Sequence, residues 1–322
     1  MKKPNLFIVG APKSGTTSIY NYLKNHPEVF MSPIKEPHFF AKDFIEGEFI
    51  KSQRFRHKID FKKYLNKKNL RENHIAFLSY LRDEDYIQLF RDSDNQKYIG
   101  EASTGYLFSK TAAKEIFNYN NDAKIIICIR NPVLRAFSQW KMDYRSKNGF
   151  SLNRKSFIKD LEEDFLINDK RWGGESQTFV EVGLYYNQIK RFFKYFPRDN
   201  IKIFFFDDFI KNKISVRKDL FKFLDISETR EIDFSKKHNE SVEPRNYIFK
   251  IIYSFIRKQQ VFKYRQFLGE KWINRIGSII FRKSTLKIDN KEYNKALHFF
   301  IDDVKKLEKL LEVDLKAWSE EI

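Results

Sequence analysis

The sequence predicts an α/β fold in which a central, mainly parallel sheet is flanked by helices. Short apolar runs alternate along the chain with segments of helical periodicity, and this alternation is typical of parallel strands joined by crossover helices. The clearest run is 125–129, where five consecutive apolar residues lie between Lys124 and Arg130. A strand that is apolar throughout is expected where helices cover both faces of a sheet.

Each of the other elements has its own signal. The first strand, 6–9, ends at Gly10, and the segment 16–24 places Ile19 and Leu23 one helical turn apart on one face. By the same criteria we predict further strands over 29–31, 97–101, 124–130 and 201–206, and further helices over 60–65, 83–90, 111–119, 131–147 and 179–196.

Composition limits the class of protein. With 322 residues, of which 42% are hydrophobic and 17% aromatic, the chain can bury a sizeable core and is not expected to be disordered. Lys and Arg total 61 against 43 Asp and Glu, which gives a net charge of +18. Such a charge attracts nucleic acid, an anionic membrane surface, a phosphorylated cofactor or an acidic polymer, and it does not distinguish among them. We predict one domain over 1–322, with the informative motifs in 6–245 and a helical, basic elaboration in 246–322.

Cysteine content and hydropathy bear on the compartment. The one cysteine, Cys128, lies in the apolar run 125–129, so a disulfide framework or a cysteine-based metal site is excluded. The apolar segment 6–9 is too short for a signal peptide, and the chain has no uninterrupted apolar stretch of about 18 residues. We therefore expect a cytoplasmic protein without a spanning helix. Peripheral contact with a membrane surface stays open.

The most informative stretch is the turn 10–17, Gly-Ala-Pro-Lys-Ser-Gly-Thr-Thr. Glycines five residues apart between a strand and a helix allow main-chain amides to converge on an anion, and the helix N-terminus adds a partial positive charge. In nucleoside-triphosphate P-loops a lysine follows the second glycine and reaches the β- and γ-phosphates. Here Thr16 occupies that position, and the lysine stands inside the loop as Lys13. The turn is therefore predicted to bind phosphate without the usual ATP-hydrolysing arrangement.

Residues 12–18, Pro-Lys-Ser-Gly-Thr-Thr-Ser, closely resemble the 5′-phosphosulfate-binding loop of sulfotransferases that use 3′-phosphoadenosine 5′-phosphosulfate, PAPS. The resemblance implies the P-loop-like, three-layer sulfotransferase fold, PAPS as cofactor with adenosine 3′,5′-bisphosphate as product, and no metal. It also implies that Lys13 steadies the bridging oxygen as the sulfuryl group departs. The cofactor-binding residues it implies in this loop are Lys13, Ser14, Gly15, Thr16, Thr17 and Ser18.

A second motif supports this resemblance. In the family, an arginine at the end of a strand and a serine eight residues later on the following helix bind the 3′-phosphate of the cofactor. Arg130 ends the predicted strand 124–130, and Ser138 stands at that interval. The chemistry fits, because a guanidinium pairs with phosphate through two parallel hydrogen bonds. A late loop, 237–245, resembles the family segment that supplies another basic contact to the 3′-phosphate, and Arg245 is the residue it implies.

Sulfuryl transfer requires a base that takes the proton of the acceptor. Residues 35–40, Lys-Glu-Pro-His-Phe-Phe, resemble the segment that carries the catalytic glutamate in Golgi-type heparan glucosaminyl sulfotransferases. The resemblance implies Glu36 as the base and His38 as a neighbour that orients the base or the acceptor. In an extended segment, Glu36, His38 and Phe40 would share one side. Cytosolic members use a histidine base in a different segment, so His38 remains a competing candidate.

Two other stretches bear on the acceptor side. The stretch Glu101-Ala102-Ser103 resembles the Glu-Lys-Thr/Ser segment of the heparan-modifying enzymes, but Ala102 replaces its lysine, which puts a heparan acceptor in doubt. Glu101 and Ser103 are candidates for the wall of the site. The stretch that contains Tyr185 and Tyr186 resembles the start of the family helix that lies near the acceptor. The two tyrosines could equally be aromatic residues of the core.

Together these motifs predict a sulfotransferase that moves a sulfuryl group from PAPS to a hydroxyl or amine. The expected partner is a small-molecule, glycan or lipid-linked acceptor, with a carbohydrate or glycolipid favoured. One alternative is a P-loop small-molecule or nucleotide kinase, and Thr16 in the lysine position argues against it. Another is a basic nucleic-acid-binding protein without catalysis, but no helix-turn-helix or zinc pattern supports one, and nucleic acid is not an expected partner.

Overall fold

The computed structural model describes residues 3–44, 73–74, 82–147, 156–170, 176–228, 242–245, 281–283 and 286–321. The predicted helix over 60–65 and much of the predicted helical elaboration over 246–322 lie outside these ranges. Within them, no helix is long and apolar enough to cross a bilayer. A single domain over 1–322 stays a prediction.

Strands and helices alternate over much of the described chain. The strands are β1 (Leu6–Gly10), β2 (Val29–Met31), β3 (Ile34–Lys35), β4 (Asn73–His74), β5 (Tyr98–Ala102), β6 (Lys124–Ile129), β7 (Ile201–Phe205), β8 (Val242–Pro244) and β9 (Phe281–Lys283). The helices are α1 (Thr16–Lys24), α2 (Asp83–Ile87), α3 (Ala112–Tyr119), α4 (Pro132–Lys147), α5 (Phe157–Leu166), α6 (Tyr185–Tyr195), α7 (Phe206–Lys211), α8 (Lys213–Leu224), α9 (Asn290–Leu297), α10 (Ile301–Leu311) and α11 (Lys316–Ser319).

The main sheet has five strands in the order β2-β5-β1-β6-β7, and every pair in it is parallel. The prediction of a mainly parallel sheet is confirmed. Leu6 of β1 pairs with Gly100 of β5 on one side and with Lys124 of β6 on the other, so β1 is the central strand. Because these strands run the same way, the turns that follow β1, β5 and β6 emerge side by side at one edge of the sheet.

Burial alternates along the central strands as the pleat requires. Phe7 of β1 and Ile127 of β6 belong to one hydrophobic cluster, whereas Ile8 and Cys128 belong to a second cluster on the opposite face. Helix α1 contributes Ile19 to the second cluster, and helices on the other face cover the first. Both faces of the sheet are therefore buried, which explains why these strands are apolar throughout.

The predicted helix over 179–196 begins later than its pattern indicates. Residues 181–183 form a 3₁₀ turn, and α6 starts only at Tyr185. An α-helix that began at Phe179 would bind the oxygen of Phe179 to the amide of Gly183. Here Arg135 Nη2 of α4 donates to that oxygen, and the amide of Gly183 donates to the oxygen of Val180 at 2.8 Å instead. Tertiary hydrogen bonds thus override the helical periodicity of this apolar segment.

Candidate functional site

The loop after β1 requires glycine at both of its predicted positions. A Cβ atom on Gly10 would lie 2.5 Å from Cβ of Leu107, and Gly15 has a φ of 94°, which disfavours any residue with a side chain. Helix α1 begins directly after Gly15, at Thr16, and its first N–H groups have no intrahelical acceptor. Its first turn contains no acidic residue. The loop therefore presents amide donors and the positive end of a helix dipole to an anion.

The predicted loop residues differ in how far they are exposed. Ser14 and Thr16 are buried, whereas Lys13, Gly15, Thr17 and Ser18 are partly exposed. Lys13 has a φ of 67°, and its Nζ lies 3.7 Å from Sδ of Met142 on α4. Met142 is one helical turn beyond Ser138 and shares its face of α4. The structure therefore brings Lys13 to the face of the helix that carries Ser138.

Arg130 connects the two predicted cofactor clusters, which are 117 residues apart in sequence. Its Nη1 donates to the main-chain oxygen of Lys13 at 3.4 Å, and its guanidinium carbon lies 4.4 Å from the ring centroid of Phe206. Its Nε is buried and has no hydrogen-bond partner among the residues that the structure describes. Burial lowers the pKa of Arg130. A buried guanidinium with an unused donor is costly unless an anion binds it, so these residues fit a phosphate group.

Two aromatic residues support Arg130. Tyr185 is fully buried, and its hydroxyl donates to the main-chain oxygen of Arg130 at 3.0 Å. The ring of Phe206 packs against the guanidinium group. The same ring lies next to Gly15, where a Cβ atom added to the glycine would be 3.2 Å from it. Sequence reasoning left Tyr185 open and missed Phe206, because a residue at the end of an apolar strand gives the same signal as any core phenylalanine.

Lys35 is a further site residue that sequence reasoning treated only as a surface partner of Glu36. It is 7% exposed, and its Nζ donates to Oγ1 of Thr17 at 2.8 Å. The same Nζ lies 3.5 Å from Oε1 of Glu36. Buried lysines are rare unless paired. Here the ammonium group connects the phosphate loop to the candidate base, and its adjacency to Glu36 was the only sequence signal.

The turn that carries Glu36 is not extended, so the alternation expected for Glu36, His38 and Phe40 in an extended segment does not apply. Glu36 has a φ of 62° and His38 a φ of 50°. Hydrogen bonds to the neighbouring turn impose this conformation: Thr104 donates its amide and its hydroxyl to Oε2 of Glu36 at 2.7 and 3.0 Å. Phe40 packs in the core against Phe7. The Glu36 side chain remains 18% exposed, which leaves its carboxylate accessible.

His38 is buried and is held as a neutral imidazole. The amide of Gly105 donates to its Nε2 at 3.2 Å, so the other ring nitrogen, Nδ1, carries the proton and donates to the main-chain oxygen of Glu36 at 3.0 Å. Burial lowers the pKa of His38. Nε2 also lies 3.3 Å from Oε2 of Glu36. The structure therefore brings the two candidate bases together, through the geometry of two turns rather than through strand alternation.

Glu101, a candidate for the wall of the site, is fully buried at the end of β5. It accepts hydrogen bonds from the hydroxyls of Tyr86, Tyr106 and Ser103 at 2.8, 2.7 and 2.7 Å. Burial raises its pKa to about 7 despite these bonds. The residue therefore belongs to a polar network behind the site.

Arg245 is exposed and follows β8. Its predicted contact with the 3′-phosphate stays a prediction.

A family model for the sulfotransferase domain matches residues 3–287. This chain belongs to the sulfotransferase family. Among curated relatives, carbohydrate sulfotransferase 15 of Mus musculus is 24% identical over 251 residues, which cover 69% of this chain and 44% of that protein. Heparan sulfate glucosamine 3-O-sulfotransferase 3B1 of Homo sapiens is 24% identical over 197 residues, which cover 60% of this chain and 39% of that protein. This sulfotransferase chain thus matches less than half of the length of either relative.

A solved structure supports the fold. The crystal structure of a sulfotransferase from Alicyclobacillus acidocaldarius matches with a TM-score of 0.64 and 25% identity, over 99% of this chain and 100% of that chain. The predicted P-loop-like sulfotransferase fold, with a parallel sheet between helical layers, is confirmed.

The buried carboxyl group of Glu101 predicts a specific dependence of stability on pH. Because its pKa is raised in the folded protein, the stabilisation that its proton provides is present below about pH 4.5 and is lost as the pH rises to about 7. Relative to Glu101→Gln, the wild type should therefore lose about 3 kcal/mol of unfolding free energy across this range. Urea unfolding at a series of pH values measures this difference. The exposed Glu162→Gln variant is the matched control, and a pH-independent difference for Glu101→Gln would contradict the assignment.

Proposed function

We propose that this chain transfers a sulfuryl group from PAPS to a hydroxyl or amine of a carbohydrate acceptor. The observation that carries the proposal is the contact between Arg130 and the main chain of Lys13, which joins a loop suited to one phosphate to a buried guanidinium suited to another. PAPS carries one phosphate on the 5′ oxygen and another on the 3′ oxygen of its ribose. Family membership supports the same reaction.

In the proposed donor site, the loop after β1 binds one phosphate of PAPS, and Arg130 with Ser138 binds the other. Amides of the loop and the N-terminus of α1 would hold the 5′-phosphate, with Lys13 neutralising charge that develops on it. Arg130 and Ser138 would hold the 3′-phosphate, with Arg245 as an additional contact. When bound, PAPS supplies the activated sulfuryl group. Lys35, bonded to Thr17, sits where its ammonium can stabilise negative charge at the edge of the loop facing the acceptor.

Glu36 is the better candidate for the base. Its Oε2 is held by Thr104, which fixes the carboxylate and leaves Oε1, beside Lys35, for the acceptor proton. His38 is less suited, because Gly105 already occupies the lone pair of its Nε2 and burial disfavours its charged form. We assign His38 a positioning role, since its Nδ1 proton holds the main chain of Glu36.

A carbohydrate acceptor is supported by the relatives, two of which are by name a carbohydrate sulfotransferase and a heparan sulfate glucosamine sulfotransferase. Ala102 in place of the lysine of the heparan-modifying enzymes favours an acceptor other than heparan. The net charge of +18 suits an acidic glycan or one presented at an anionic membrane surface.

The direct test of function is transfer of radiolabelled sulfate from PAPS, without added metal, to unsulfated chondroitin, N-acetylheparosan and a glycolipid fraction. We expect label in at least one fraction and none with the Lys13→Ala variant, which removes the loop cation. ATP with magnesium serves as the comparison donor. If no fraction is labelled, or if ATP is consumed instead, the proposed function is wrong.

The assignment of Arg130 to the 3′-phosphate predicts a ligand-specific loss of affinity. Arg130→Gln should weaken binding of adenosine 3′,5′-bisphosphate about 10- to 100-fold, as expected for hydrogen bonds to a charged group. It should leave binding of adenosine 5′-monophosphate, which lacks the 3′-phosphate, unchanged. Isothermal titration calorimetry measures both, with Arg82→Gln, on a side chain that is 69% exposed, as the control. An equal loss for the two ligands would mean that Arg130 supports the loop instead.

The two candidate bases are separated by single substitutions at saturating PAPS. Glu36→Gln should lower kcat by about 100-fold or more, the usual effect of losing a general base. His38→Gln should lower it less, because it weakens only the positioning of Glu36. Initial rates of sulfate transfer measure both. A near-normal rate in Glu36→Gln would reject Glu36 as the base.

A further inference from the structure

We propose that Glu101, acting through the hydroxyls of Ser103 and Tyr106, positions the turn that carries Glu36 and thereby sets the rate of the chemical step. Glu101 is a positioning residue in this scheme, because it touches neither donor nor acceptor. The inference rests on the proposed role of Glu36 as the base.

The first observation is the direction of the hydrogen bonds at Glu101. Ser103 Oγ donates to its Oε2 at 2.7 Å, and the Tyr106 hydroxyl donates to its Oε1 at 2.7 Å. A hydroxyl has a single proton to donate, so these two oxygens are left to act as acceptors. The buried carboxylate therefore fixes which way both hydroxyls point.

The second observation is what these hydroxyls accept. Ser103 Oγ accepts the amide of His38 at 2.9 Å, and the Tyr106 hydroxyl accepts the amide of Phe40 at 3.3 Å. Each hydroxyl thus relays between Glu101 and the main chain of the turn that follows Glu36. Tyr86 also donates to Glu101, at 2.8 Å, but reaches it from helix α2 rather than from the 103–106 turn.

The third observation is that this turn needs support. Glu36 and His38 both have positive φ values, 62° and 50°, on either side of Pro37. Residues other than glycine adopt this conformation only where their surroundings impose it. The relayed amides of His38 and Phe40 lie at and just beyond the strained positions. Losing them would let the turn relax and move the Glu36 carboxylate away from Thr104.

The protonation state of Glu101 adds a pH dependence to this arrangement. The groups that face it are the hydroxyls of Tyr86, Ser103 and Tyr106 and, through space, the carboxylate of Glu36, whose charge also favours the protonated form of Glu101. Tyr119 on α3 also feels its charge. A proton on Oε2 would donate to Ser103 Oγ, and the Ser103 proton would then lose Glu101 as its acceptor. The hydroxyl would have to turn, which disturbs the lone pair that accepts the amide of His38. Because the pKa of Glu101 lies at about 7, kcat should fall as the pH decreases through neutrality.

The test uses variants that break the relay at separate points. Ser103→Ala and Tyr106→Phe each remove the acceptor of one turn amide, and each should lower kcat at least tenfold. Both should leave the affinity for adenosine 3′,5′-bisphosphate unchanged, since that ligand contacts the loop and Arg130. Glu101→Gln, which cannot ionise, should remove the fall in kcat near pH 7. Tyr86→Phe is the matched control, because it removes an equivalent donor to Glu101 and keeps the ring that stacks on Phe39. No main-chain amide of the turn loses its acceptor in this variant, so its kcat should stay within threefold.

Hydrogen exchange provides a readout that does not depend on activity. The peptide 36–42 should exchange faster in Ser103→Ala and Tyr106→Phe than in wild type or Tyr86→Phe. Unchanged kcat and unchanged exchange in the two relay variants would overturn the positioning role while leaving sulfate transfer by the wild type intact. If the wild type neither transfers sulfate nor binds adenosine 3′,5′-bisphosphate, the proposed function fails, and the exchange rates alone decide whether Glu101 holds the turn.

Discussion

The parallel pairing of β1 between β5 and β6 is the constraint on which the site depends. Both faces of these strands are buried, so their register cannot slip by one residue without moving apolar side chains out of the core. Since the strands run in one direction, the loop after Gly10, the turn after Ala102 and the residue after Ile129 are forced to one edge of the sheet. Main-chain bonds such as that from the amide of Leu107 to the oxygen of Val9 then fasten neighbouring turns to each other.

Electrostatics explains the order of the groups along this edge. Positive charge is concentrated on the donor side, in Lys13, Arg130 and the N-terminus of α1, where phosphate oxygens would be held. Lys35 lies at the boundary, within reach of both Thr17 and the Glu36 carboxylate. A buried ammonium in this place lowers the cost of bringing an anionic donor close to an anionic base. Only a few of the 61 Lys and Arg residues lie at this site, so the net charge of +18 comes mainly from residues elsewhere in the chain.

Behind the acceptor side, polar groups are buried in a fully bonded arrangement. Glu101 accepts hydrogen bonds from the hydroxyls of Ser103 and Tyr106, and these hydroxyls accept the amides of the turn that follows Glu36. Glycine is needed at position 105, where an added Cβ would lie 2.8 Å from Nε2 of His38. Such networks are costly when incomplete and rigid when complete. Glu36 thus lies on a strained turn whose conformation is determined by its neighbours rather than by its own residues.

The sheet, the glycine loop after β1 and the candidate residues within that loop could be predicted from the sequence. Apolar runs such as 125–129 and the glycine spacing of the loop are local signals, because solvent exclusion and backbone conformation act on neighbouring residues. Tertiary structure alone decided that Arg130 touches Lys13, that Lys35 reaches Thr17 and that helix α6 starts late. It also decided that the amide of His38 binds the hydroxyl of Ser103, 65 residues away in sequence. Hydrogen bonds across such separations depend on strand order and on directional geometry, and neither leaves a pattern in the local sequence.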